Sequence, residues 1–193
     1  MKNTLSQLLT LIILSSSLSS CAQLPSSEWQ IKTALLACPD EFRANATVLG
    51  YDNSGAVVEL RKGTNSMIAL ADNPETDSFS SSSYHIDLEP FMSRGRALKL
   101  EGKDFKEIFD IREAEAKSGS LEMPERSTLY VITGDVNPET KEIENTYLRY
   151  VIYIPFATAA SSGLPSKPIS PDAPWIMDPG THRAHIMITP ERK

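Results

Sequence analysis

The apolar positions divide this chain into short stretches of different period. After a polar start at Ala22–Ser27, Ile31, Leu35 and Cys38 recur at i, i+4 and i+7. That spacing predicts a helix opened by the capping-box pattern Ser27-Glu28-Trp29-Gln30 and stopped by Pro39. Three strand-like runs follow: 47–51, 56–61 and 66–71. The turn formers Asp52-Asn53-Ser54-Gly55 and Lys62-Gly63-Thr64-Asn65 separate them. Links this short predict an antiparallel meander. Residues 72–82 are polar and serine-rich and read as a surface loop. Residues 84–88 read as a short strand leading to a helix that starts at Glu89-Pro90 and ends near Gly102. Asp104 then caps a second helix with Phe105, Ile108, Phe109, Arg112 and Ala116 on one stripe, which Gly119 ends. Arg94, Arg96 and Lys99 read as part of a solvated face.

Residues 127–134 form a strand by composition, and 145–156 hold the most apolar strand of the chain, expected at the centre of a sheet. Periodicity then fails from Ala157 to Thr181, where proline is dense: seven of the thirteen prolines lie at or after Pro155. A stretch of that length without regular structure is unusual in a compact domain. Residues 183–189 alternate again and read as a closing strand. The predicted fold is α+β: a mainly antiparallel sheet of about five to seven strands with a helical hairpin and a short N-terminal helix.

The first twenty residues have a different character. Lys2 precedes the apolar run Leu8–Leu14, which is too short to cross a hydrocarbon core of about 30 Å, and small residues follow. The segment ends Leu18-Ser19-Ser20-Cys21, which resembles the lipobox of bacterial lipoproteins. That resemblance implies cleavage before Cys21, thioether lipidation and N-terminal acylation at Cys21, and a membrane partner reached through the lipid. It places the protein in the bacterial cell envelope, and Ala22 after the cysteine favours the outer membrane of a diderm cell. The division expected is a signal peptide over 1–20, a tether over 21–27 and one domain over 28–193. Cleavage leaves 173 of 193 residues, enough for a real core. It also removes one lysine and no acid, moving the net charge from −6 to −7. Such an acidic domain is a poor partner for nucleic acid. With Cys21 lipidated, Cys38 is the only remaining thiol and reads as a buried structural residue.

Candidate chemistry is sparse. The dinucleotide loop, the P-loop, H-E-x-x-H, C-x-x-C and G-x-S-x-G are all missing from the sequence. Attention falls on 173–188. There Asp178-Pro179-Gly180-Thr181 has the form of a type II turn, expected to make flanking neighbours of Met177 and His182. His185 and Met187 alternate onto one face of the strand that follows. Three readings stay open. One is a metal site of His182, His185 and Met177, Met187 or Asp178, with His85 as a third imidazole. Thioether ligands there would suit copper, and carboxylate would suit zinc or iron. Another is an organic ligand or protein partner held by Trp175, Arg183 and the histidines, or hydrolysis with His185 as base beside Asp178 or Glu89. The plainest is that prolines and glycine direct the backbone while the histidines make ordinary hydrogen bonds. Together these predict a lipid-anchored envelope protein with a binding or structural role centred on the C-terminal segment.

Overall fold

The computed structural model describes residues 24–192, so the signal segment and Cys21 lie outside the described residues. Eight strands join one sheet: β1 (Thr47–Tyr51), β2 (Val57–Arg61), β3 (Met67–Leu70), β4 (Phe79–His85), β5 (Ser127–Val136), β6 (Ile143–Tyr153), β7 (Trp175–Met177) and β8 (His185–Ile188). Their order is β2-β1-β3-β4-β5-β6-β8-β7, and every neighbouring pair is antiparallel except β1–β3. The α+β class and the mainly antiparallel sheet match the expectation, while the sheet is larger than the five to seven strands predicted. Five helices accompany it: α1 (Ser27–Ala34), α2 (Asp40–Arg43), α3 (Glu89–Leu100), α4 (Phe105–Ser118) and α5 (Ala159–Ser162).

The predicted meander forms only in part. Asp52 closes the β1–β2 turn, its carboxylate accepting from the Ser54 and Ala56 amides and the Ser54 hydroxyl. β3 does not continue beside β2; it crosses to the far side of β1 and runs parallel to it. Met67, Ile68 and Ala69 are all buried, so β3 must lie inside the sheet, whereas β2 exposes Glu59 and takes the edge. The link passes close under the start of β1. Thr64 and Asn65 donate to the Asn45 carbonyl, and a Cβ on Gly63 would sit 2.2 Å from the Thr47 nitrogen.

The expected serine loop is corrected as well: only 71–78 is irregular, and 79–85 is β4. Ser81 and Ser83 point inward and donate to the carbonyls of Thr33 (3.1 Å) and Ala37 (3.0 Å), at the end of α1 and the 3-10 turn after it. The Ala37 carbonyl is of the kind a helix end leaves without a partner, and Ser83 satisfies it; the Thr33 carbonyl also takes a backbone N–H at the cap, and Ser81 adds a second donor. α1 itself is capped by Ser26 rather than Ser27 and ends at Ala34, before Cys38. Gln30 is thereby free to act as an extra peptide beside β1. Its amide accepts from Tyr51 N (2.7 Å) and donates to Tyr51 O and Pro25 O. Cys38 is 1% exposed, and burial pushes its thiol up.

The sheet has a core on each face. On one, α1 and the following turn cover Val48, Ala69, Phe79 and Ile132. On the other, the α3–α4 hairpin covers Ile68, Tyr84, Leu129, Val151, Tyr153 and Met187 with Leu88 and Phe91. Each such large side chain contributes about 1.5–3 kcal/mol when fully buried. The hairpin is fastened by the capping box of Asp104 and Glu107 and by Arg94 paired with Glu115. The segment 157–181 is more ordered than its sequence predicts. It contains α5 and β7, and the Pro165 carbonyl accepts from Ile176 N on the open edge of β7.

Candidate functional site

The C-terminal turn forms as predicted at its centre. Gly180 has φ +80°, Thr181 N donates to Asp178 O (3.3 Å), and the Thr181 hydroxyl reinforces that bond at 2.8 Å. The Asp178 carboxylate does not make the expected bond to the turn backbone; it faces Arg183 Nε at 3.5 Å, and the residue has φ +50°. The residues flanking the turn are not the expected pair. Register joins Met177 to His185 and Trp175 to Met187, while His182 turns the other way, toward α4. His185 and Met187 do share a face.

His182 is fully buried. Its amide (2.7 Å) and its ring Nδ1 (2.6 Å) both meet Oε2 of Glu113, and the rings of Phe91 and Phe109 flank it with centroids at 5.7 and 4.8 Å. An acceptor at that oxygen assigns the proton to Nδ1, which leaves Nε2 a bare lone pair with no hydrogen-bond partner. Burial opposes the Glu113 charge, but the His182 amide, Lys117 and the His182 ring outweigh it and hold the carboxyl at about 2. Burial lowers the imidazole of His182, against the pull of Glu113 and helped by Arg112. His185, 4% exposed, faces the Arg183 carbonyl through Nδ1 (2.6 Å) and lies against Tyr153; burial lowers it too. Arg112 lies over the Phe91 ring at 3.9 Å and donates to the Phe91 carbonyl, and its burial brings it down to about 10.

These contacts fasten α4 to the turn between β7 and β8. His85 lies elsewhere. Tyr84, Leu129, Val151 and Met187 form one cross-strand row, so His85, adjacent to Tyr84, is on the opposite face from His185. It bonds Asp87 in a local turn. Glu89, offered as a partner for His185, instead accepts from Tyr84 and Arg96. Among the described residues no group of three or more His, Cys, Asp or Glu side chains is placed to hold a metal ion.

A second site was not anticipated. A groove of about 570 Å³ opens between the β1–β2 hairpin and α3. Leu49, Tyr51, Val57, Ala97 and Leu100 give it apolar walls; Glu59, Glu75 and Lys99 lie on its rim. One wall carries a closed polar set. Tyr84 donates to Glu89 Oε2 (2.6 Å), Arg96 donates to Tyr84 Oη (3.1 Å), and Arg96 pairs with Glu89 Oε1 (2.5 Å). Tyr84 is wholly buried, and desolvation raises its phenol despite Arg96. The sequence signal is the spacing of Glu89 at the start of α3 with Arg96 and Lys99, the last two of which read with Arg94 as a solvated face. No protein-family model, curated protein or solved structure gives a significant match to this chain.

Proposed function

We propose that this protein is a lipid-anchored bacterial envelope protein whose role is binding, and that its ligand seat is the groove between the β1–β2 hairpin and α3. The observation that carries this reading is the groove itself: a concave, mainly apolar space of about 570 Å³ with one fixed polar wall. That volume lies in the range of pockets for small organic ligands, about 300–1,000 Å³. The polar wall is already neutral through Arg96, Glu89 and Tyr84, so it favours an amphipathic ligand over a strongly charged one. The C-terminal segment supports that seat as scaffold, because its histidines are buried and partnered at Nδ1. The anchor rests on the lipobox residues Leu18–Cys21, and Ala22 favours the outer membrane.

Ala97 is exposed on the groove wall, so Ala97→Trp should fill the groove without disturbing the core. Residues 22–193, purified gently, should carry a co-purifying small molecule in native mass spectrometry that the Ala97→Trp variant lacks. A bound molecule retained by that variant would move the seat elsewhere. Palmitate labelling abolished by Cys21→Ala checks the anchor.

A further inference from the structure

We infer that the anchored domain rests on the bilayer through one defined end, formed by the 137–142 tip of the β5–β6 hairpin and the 71–78 loop, and that this end suits a zwitterionic phospholipid surface. The inference rests on the lipid anchor at Cys21 proposed above. Leu24 is the first described residue, three positions after Cys21, and three residues of extended chain reach at most about 11 Å. Leu24 is not at the end of a free arm. It lies with Pro25 and Trp29 against Pro74 and Val136 in a hollow of about 620 Å³. Trp29 fixes the place: its indole donates to the Lys141 carbonyl (2.9 Å) and its ring meets Phe79 edge-on. Lys32 pairs with Glu142 across the same junction, and Gln30 donates to the Pro25 carbonyl. A lipid at Cys21 therefore keeps this end within a few residues' reach of the headgroups. The opposite end, where β5 begins at Ser127, lies nine residues away along that strand, or about 30 Å.

The chemistry of this end selects among lipid surfaces. Val136 is 40% exposed, and the proline and leucine side chains around it give apolar contact. Among the described residues the exposed charges are mostly acidic: Glu28, Glu75, Asp77 and Glu139 outnumber the one tip lysine outside a salt bridge, Lys141, and Lys32 is already used by Glu142. Anionic headgroups would repel such a surface, with a strength that salt screens.

The test uses the full lipidated chain in vesicles. A donor fluorophore is placed by Thr140→Cys at the tip or by Glu125→Cys at the far end, both on exposed residues; Cys38 is buried and does not compete for label. Vesicles of phosphatidylcholine carry a headgroup-labelled acceptor lipid. The Thr140 probe should transfer energy severalfold more efficiently than the Glu125 probe. Replacing part of the lipid by phosphatidylglycerol at low salt should reduce that difference. Equal transfer from both probes, or more from Glu125, in protein whose mass shows a lipid on Cys21 would overturn the orientation alone. Protein whose mass shows an unmodified Cys21 would overturn the anchor and this inference with it.

Discussion

His182 and Glu113 show how much a buried pair differs from a surface one. Glu113 serves three donors: the His182 amide, the His182 ring and Lys117. The first two are shielded from water, while the Lys117 side chain is 62% exposed. Glu113→Gln should therefore destabilise the fold by about 1–3 kcal/mol, the cost of impairing a buried hydrogen-bonded pair. Lys117→Met should change stability by no more than about 0.5 kcal/mol, since exposed pairs contribute little. Urea denaturation of the two variants checks the contrast, and equal losses would show that the buried contacts do not matter more. The turn at Gly180 was legible because proline and glycine act within four residues. The partner of His182 was not, because Glu113 is 69 positions away and only tertiary packing introduces them.

Among the elements, the α3–α4 hairpin could be read directly, since Asp104, Gly102 and Gly119 are local signals. The sequence shows only the end of β4, at Tyr84 and His85; the rest was missed because its serines bond a helix end more than forty residues earlier, which makes polar side chains interior ones. β7 was missed because three residues become a strand only when β8 pairs with them. The meander failed for a related reason: local turn chemistry fixed that the chain reverses after β2, but burial decided on which side of β1 the next strand lies. Gly63 is the residue that permits this crossing. Gly63→Ala should cost about 3 kcal/mol, since its Cβ would meet backbone rather than a yielding side chain. Thermal unfolding of the variant measures it; a native midpoint would mean the link can move aside.

At the scale of the molecule, stability depends on pH through groups that pull in opposite directions. Burial lowers His182 and His185 in the fold, so their contribution is complete above the ordinary histidine value of about 6.5. It is lost as pH falls through their folded values. Glu113, held at about 2 against an ordinary 4.5, adds a second loss below pH 4.5. Asp72 works the other way. Burial raises it to about 6 against the amides of Ser80 and Asn73, so its charge weakens the fold above pH 6, and the penalty fades toward pH 3.8. Asp72→Asn should thus stabilise the protein at pH 8, with a gain that shrinks steadily as pH falls to 4. Chemical denaturation at several pH values checks the sign, and a gain that grows in acid would contradict it.

The loop that carries Asp72 has a further consequence. Its successive residues face alternate sides: Asn73 and Glu75 line the groove, while Asp72, Pro74 and Thr76 line the hollow at the tether end. One short wall thus separates the proposed ligand groove from the hollow proposed to face the membrane. Any shift of that wall on ligand entry alters the other side, and linkage makes the effect reciprocal: the free energy with which a filled groove strengthens or weakens membrane seating equals the free energy with which the membrane changes ligand affinity. Under the two proposals the events form one equilibrium, and an affinity measured on protein free in solution would report only half of it.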